Sequence, residues 1–83
     1  MDQKKTGRFI AKMRKQQNLT QRELADSLGV SDKTVSKWEC GNGMPELSCM
    51  QSICGILKIS LNELFSGEKL NDANYKEKAE ENM

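Results

Sequence analysis

Eighty-three residues, 36% apolar and 30% charged, suffice for one small core and no more. The apolar residues fall in short clusters, so the span of about 20 that a membrane helix needs is absent. The N-terminus MDQKKTGRF lacks the apolar stretch of a secretory signal, and the chain is expected to act in the cytoplasm. The net charge of +1 hides a division: residues 1–43 carry nine Lys/Arg against five acids, residues 44–83 four against seven. A first half that meets a polyanion suits that division.

The spacing of apolar residues predicts five short helices. The first runs from about Lys4 to Gln17, with Phe9, Ile10 and Met13 inward. Thr20 and Glu23 form a capping box, each satisfying an unpaired amide at the start of a second helix that reaches Leu28. Gly29 then supplies a left-handed residue for a sharp turn. Ser31 caps a third helix to about Cys40, ended by Gly41, Asn42 and Gly43. Pro45 suits the entry to a fourth helix, apolar at Leu47, Met50, Ile53, Cys54 and Leu57. Ser60 and Glu63 repeat the capping box before a fifth helix with Leu61, Leu64 and Phe65, closed by Gly67.

Residues 1–67 are therefore read as the domain and residues 68–83 as a charged tail or linker, too poor in apolar groups to order against the core. Tyr75, Ala79 and Met83 recur every four residues, which would align them if this segment began a longer helix leading to a further region. The rival expectation is a frayed end.

Three cysteines, Cys40, Cys49 and Cys54, lack paired metal-site spacing, and the chain has no histidine. They are read as free thiols, with no metal and no cofactor expected. Catalysis also lacks parts: there is no nucleophile flanked by a base and no glycine-rich phosphate loop. No small-molecule ligand is evident either.

The informative stretch is QRELADSLGVSDKTVSKW, residues 21–38. Two helices joined by a tight turn must pack closely. Leu24, Leu28, Val30, Val35 and Trp38 supply the apolar seam, Ala25 is small at the crossing, and Gly29 makes the corner. With Val35 and Trp38 inward, Asp32, Lys33, Ser36 and Lys37 share the opposite side of the third helix. That placement makes Trp38 a packing residue rather than a base-stacking one, and Met50 is read as a gap-filler.

The run LTQRELADSLGVSDKTVSKWECG, with Arg14 before it and ISLNELFSG after it, resembles the phage-repressor and Cro-type (XRE-like) helix-turn-helix family over residues 4–67. The resemblance implies an all-α, five-helix, lambda-repressor-like domain that binds double-stranded DNA as a transcriptional regulator, here expected to be a repressor. It also implies a homodimer on a palindromic operator with half-sites about 34 Å apart and the third helix in the major groove.

Asp32, Lys33, Ser36 and Lys37 are then the candidate base readers. Lysine donates to guanine and aspartate accepts from the cytosine amino group, so a site with G·C pairs is expected. Asp32 is tolerated near phosphate only where it reaches such an amino group or pairs with a lysine. Gln21 matches the family's phosphate-binding glutamine, with Thr34 and Asn42 as further phosphate contacts. Thr20 and Ser31 are primarily caps. Arg14 and Glu39 match a partly buried family ion pair that ties the first helix to the end of the third. Cys40 departs from the polar residue of some phage repressors, which puts a backbone contact there in doubt. A protein-interaction module on the same fold, of antitoxin or adaptor type, is the competing expectation and would direct the domain toward a protein partner.

Overall fold

The computed structural model describes residues 2–70. Five helices follow in order: α1 Gln3–Gln16, α2 Gln21–Leu28, α3 Asp32–Glu39, α4 Leu47–Leu57 and α5 Leu61–Ser66. α1 starts one residue earlier than its periodicity predicts because the Asp2 carboxylate caps it, accepting the backbone N–H of Lys4 and Lys5 at 3.0 and 3.1 Å. Both predicted capping boxes are formed. The Thr20 hydroxyl accepts the Glu23 N–H while the Glu23 carboxylate accepts that of Thr20, and Ser60 and Glu63 do the same.

α1 packs across α3 and α5, α2 lies against α3, and α4 lies against α5 and α2. Phe9, Ile10, Met13, Leu24, Ala25, Val35, Trp38, Met50, Ile53, Leu57, Ile59 and Leu64 make one continuous buried core. Leu28 and Val30 are partly buried at its rim. The Thr6 hydroxyl, buried, donates to the Leu64 carbonyl at 3.0 Å and ties α1 to α5. No helix among the described residues is long and apolar enough to cross a membrane.

In the second half of the bundle the structure shows which of the apolar positions are covered. Pro45 stands at the entry to α4, directly before the N-cap Glu46, whose side chain makes no capping hydrogen bond. Leu47 continues the α4 stripe in phase but is 62% exposed. Phase buries a side chain only where another element faces it, and that stripe is covered only from Met50 onward. Cys54 is half-buried, and burial pushes its thiol pKa up. In α5 the buried pair is Glu63 and Leu64, leaving Phe65 40% exposed, because the capping carboxylate turns inward.

The first residues after Gly67 contact the bundle. Glu63 Oε2 accepts the Leu70 N–H at 2.7 Å and lies 3.6 Å from the Lys69 ammonium, while Lys5 pairs with Glu68 at 3.5 Å. Residues 68–70 are thereby held on α5 and α1. The proposed stripe of Tyr75, Ala79 and Met83, with the rest of the tail from residue 71, lies outside the described residues.

Candidate nucleic-acid interface

The α2–α3 corner is built from local chemistry. Gly29 takes φ +71°, a backbone state that costs a residue with a β-carbon roughly 1–2 kcal/mol. The Ser31 hydroxyl accepts the Thr34 N–H at 3.2 Å, and the two hydroxyls lie 2.9 Å apart. Val35 is fully buried and Trp38 is 5% exposed, which fixes the rotation of α3.

That rotation leaves Asp32, Lys33 and Lys37 exposed and Ser36 half-buried at the edge of the same side. None of the three charged residues takes part in an ion pair among the described residues. Asp32 opens the helix, where its negative charge meets the positive end of the dipole. Asp32 therefore has a structural reason to be there besides any pairing with lysine. The candidate reading face is thus one polar, unpaired strip over the first two turns of α3.

Behind the strip, three helices converge on one carboxylate. Arg14, 8% exposed on α1, donates through Nε to Glu39 Oε2 at 2.7 Å and through Nη2 to Oε1 at 3.1 Å. Its Nη1 donates to the Leu19 carbonyl at 2.7 Å. The hydrogen bond to Glu39 raises the Arg14 pKa above its ordinary value, outweighing the opposite effect of desolvation. Gln21, the first residue of α2, donates from Nε2 to Glu39 Oε1 at 2.9 Å.

The last contact was not legible in the sequence. Gln21 and Glu39 are 18 positions apart and share no helical phase; only the crossing of α2 and α3 joins them. The other framing residues stand differently. Thr34 is half-buried with its hydroxyl engaged by Ser31, whereas Asn42 is exposed in the turn after α3, its N–H donating to the Lys37 carbonyl at 2.8 Å. Cys40 ends α3 as an exposed free thiol.

A helix-turn-helix family model matches residues 10–64. An HTH-type transcriptional activator of Enterococcus faecalis, BcrR, is 39% identical over 61 residues, covering 74% of this chain and 30% of that protein. The cryptic phage CTXphi transcriptional repressor RstR of Vibrio cholerae is 38% identical over 55 residues, covering 66% of this chain and 49% of its own length. Among solved structures, the restriction-modification controller protein C.AhdI of Aeromonas hydrophila superposes with a TM-score of 0.69 at 27% identity, over 76% of this chain and 91% of that one. The clp gene regulator ClgR of Corynebacterium glutamicum shares the fold with a TM-score of 0.72 at 24% identity, over 81% and 86% of the two chains. The chain spans less than half the length of the activator and of the repressor.

Proposed function

The chain belongs to the helix-turn-helix family, and from that membership we propose that it binds double-stranded DNA sequence-specifically as a transcriptional regulator, with α3 in the major groove. The observation that carries this reading is the outward strip of α3. Asp32, Lys33, Ser36 and Lys37 face away from a core that holds Val35 and Trp38, and the charged members are unpaired. Side chains in that position offer donors to guanine and an acceptor to the cytosine amino group. Gln21, Asn42 and, with its hydroxyl shared, Thr34 frame the strip as phosphate contacts.

A second copy on a two-fold-related half-site about 34 Å away completes the unit, each protomer presenting one α3. Repression is the regulatory outcome we adopt, as in the name of the Vibrio relative. A duplex-DNA partner fits action in the cytoplasm, at the nucleoid.

Selection from random duplexes, followed by titration of the recovered sequence at two salt concentrations, tests this. A palindromic consensus and an affinity that falls steeply with salt through counterion release are expected. The absence of measurable duplex binding at low salt would overturn it in favour of a protein-interaction role.

A further inference from the structure

We propose that Glu39 is a positioning residue for the DNA contact: held by Arg14, its carboxylate orients the Gln21 carboxamide so that Gln21 meets a phosphate as a donor. The inference rests on the DNA-binding reading above and assigns to that site a residue that itself touches no DNA.

A carboxamide is two-faced. One edge donates and the other accepts, and against a phosphate only the donating edge is attractive. A glutamine free to rotate about its last bond would present the accepting edge part of the time. Here Nε2 donates to Glu39 Oε1 at 2.9 Å, which the opposite orientation cannot do, because oxygen would then face oxygen. The carboxylate therefore fixes the sense of the amide. Nε2 carries two N–H bonds, and the one not given to Glu39 is the side-chain donor left for a phosphate.

The carboxylate is itself immobilised. Its side chain is 7% exposed and both oxygens accept from Arg14, so rotation of Glu39 would strand a buried guanidinium. Arg14 also offsets the negative charge of Glu39, which would otherwise repel the DNA backbone beside Gln21. Three residues on three helices thus act in series: Arg14 fixes Glu39, and Glu39 fixes Gln21.

A double-mutant cycle on the selected duplex separates this role from mere support of the fold. Gln21→Ala in the unsubstituted background is expected to lower affinity by about tenfold, as for loss of one charge-assisted hydrogen bond. In a Glu39→Gln or Glu39→Asp background that remains folded by thermal melting, the same change should lower it by no more than about twofold. The aspartate keeps a negative charge for Arg14 while withdrawing it from Gln21. Additive losses in either folded background overturn the proposal.

A second readout needs no substitution. The two Nε2 protons of any glutamine are non-equivalent, so the readout is their difference: in the free chain the one facing Glu39 should be shifted downfield and exchange with solvent more slowly than the other; equal, fast exchange of both also overturns the proposal. Failure of the unsubstituted chain to bind any duplex overturns the DNA reading itself, a result distinguishable from additive losses in a chain that binds.

Discussion

A β-carbon built on Gly7 would fall on the backbone carbonyl oxygen of Trp38. The first helix thus crosses the end of α3 with the two backbones in direct contact. Gly7 is buried in α1, and the neighbour it meets is main chain, which cannot swing aside as a side-chain tip can. Gly7→Ala is therefore expected to destabilise the domain by about 1–3 kcal/mol through overpacking. That loss exceeds the roughly 1 kcal/mol by which alanine improves an exposed helix. Urea midpoints of the two proteins decide it, and an unchanged or raised midpoint would show that α1 can back away from α3.

The Arg14–Glu39 pair supports the same junction from the polar side. Both side chains are largely buried, at 10% and 7% exposure, so removal of one leaves the other desolvated and unpaired. Glu39→Ala should cost about 3–5 kcal/mol. Replacing both partners with apolar residues of similar volume, as in an Arg14→Met, Glu39→Leu double variant, should restore much of that. A nearly neutral Glu39→Ala, measured by denaturant unfolding, would mean that water reaches the site readily.

How much of this was legible in the sequence follows the range of each interaction. The capping boxes at Thr20–Glu23 and Ser60–Glu63, the Gly29 corner and the inward phase of Val35 and Trp38 are set within a few residues, and a linear reading finds them. The Arg14–Glu39 pair was reached through family resemblance. The Gln21–Glu39 hydrogen bond, the contact of Gly7 with Trp38 and the hold of Glu63 on Leu70 depend on elements meeting in space, and nothing periodic announces them. Leu47 shows the opposite limit: its phase was right, but phase cannot tell where the covering element ends.

Glu63 makes stability depend on pH. Burial pushes its carboxyl pKa up, but the N–H groups of Ser60 and Leu70 and the Lys69 ammonium together lower it below the usual carboxylate range. A depressed folded-state pKa stabilises the fold fully above the unfolded value, about 4.3 for glutamate, and the contribution is lost as pH falls through the folded value. The contribution of Glu63 to the unfolding free energy should thus be lost as pH falls below about 4.3, and Glu63→Gln should flatten part of the acid decline. Equal slopes for the two proteins, measured by denaturant titration across this range, would remove Glu63 from the acid response.

Lys58 ends α4 with φ +59°, the left-handed state that glycine occupies after α2 and α5. A lysine there carries strain of about 1–3 kcal/mol, while glycine would add back part of that as unfolded-chain entropy. Lys58→Gly should accordingly raise stability by up to about 1 kcal/mol. Lys58 is exposed and belongs to no ion pair among the described residues, so no compensating contact is lost. A lowered melting temperature would show that the lysine stem contributes packing its exposure conceals.

The division of labour at the DNA face gives the sharpest test. Lys33 lies on the exposed strip of α3 and is proposed to meet base edges, whereas Gln21, at the start of α2, is proposed to meet the sequence-blind backbone. Losing a base contact removes discrimination at one position, worth about 1–3 kcal/mol for a good pairing. Losing a phosphate contact weakens every sequence alike. Lys33→Ala should thus change which sequences are recovered in a site selection, and Gln21→Ala should leave the consensus intact while weakening all sites by a similar factor. Since a neutral amide displaces no counterion, Gln21→Ala should also leave the salt dependence nearly unchanged, whereas loss of a lysine that meets phosphate lowers the slope by about one. A preserved consensus with a reduced slope for Lys33→Ala would move that lysine from the bases to the backbone. A changed consensus for Gln21→Ala would show that the frame of α2 also selects sequence.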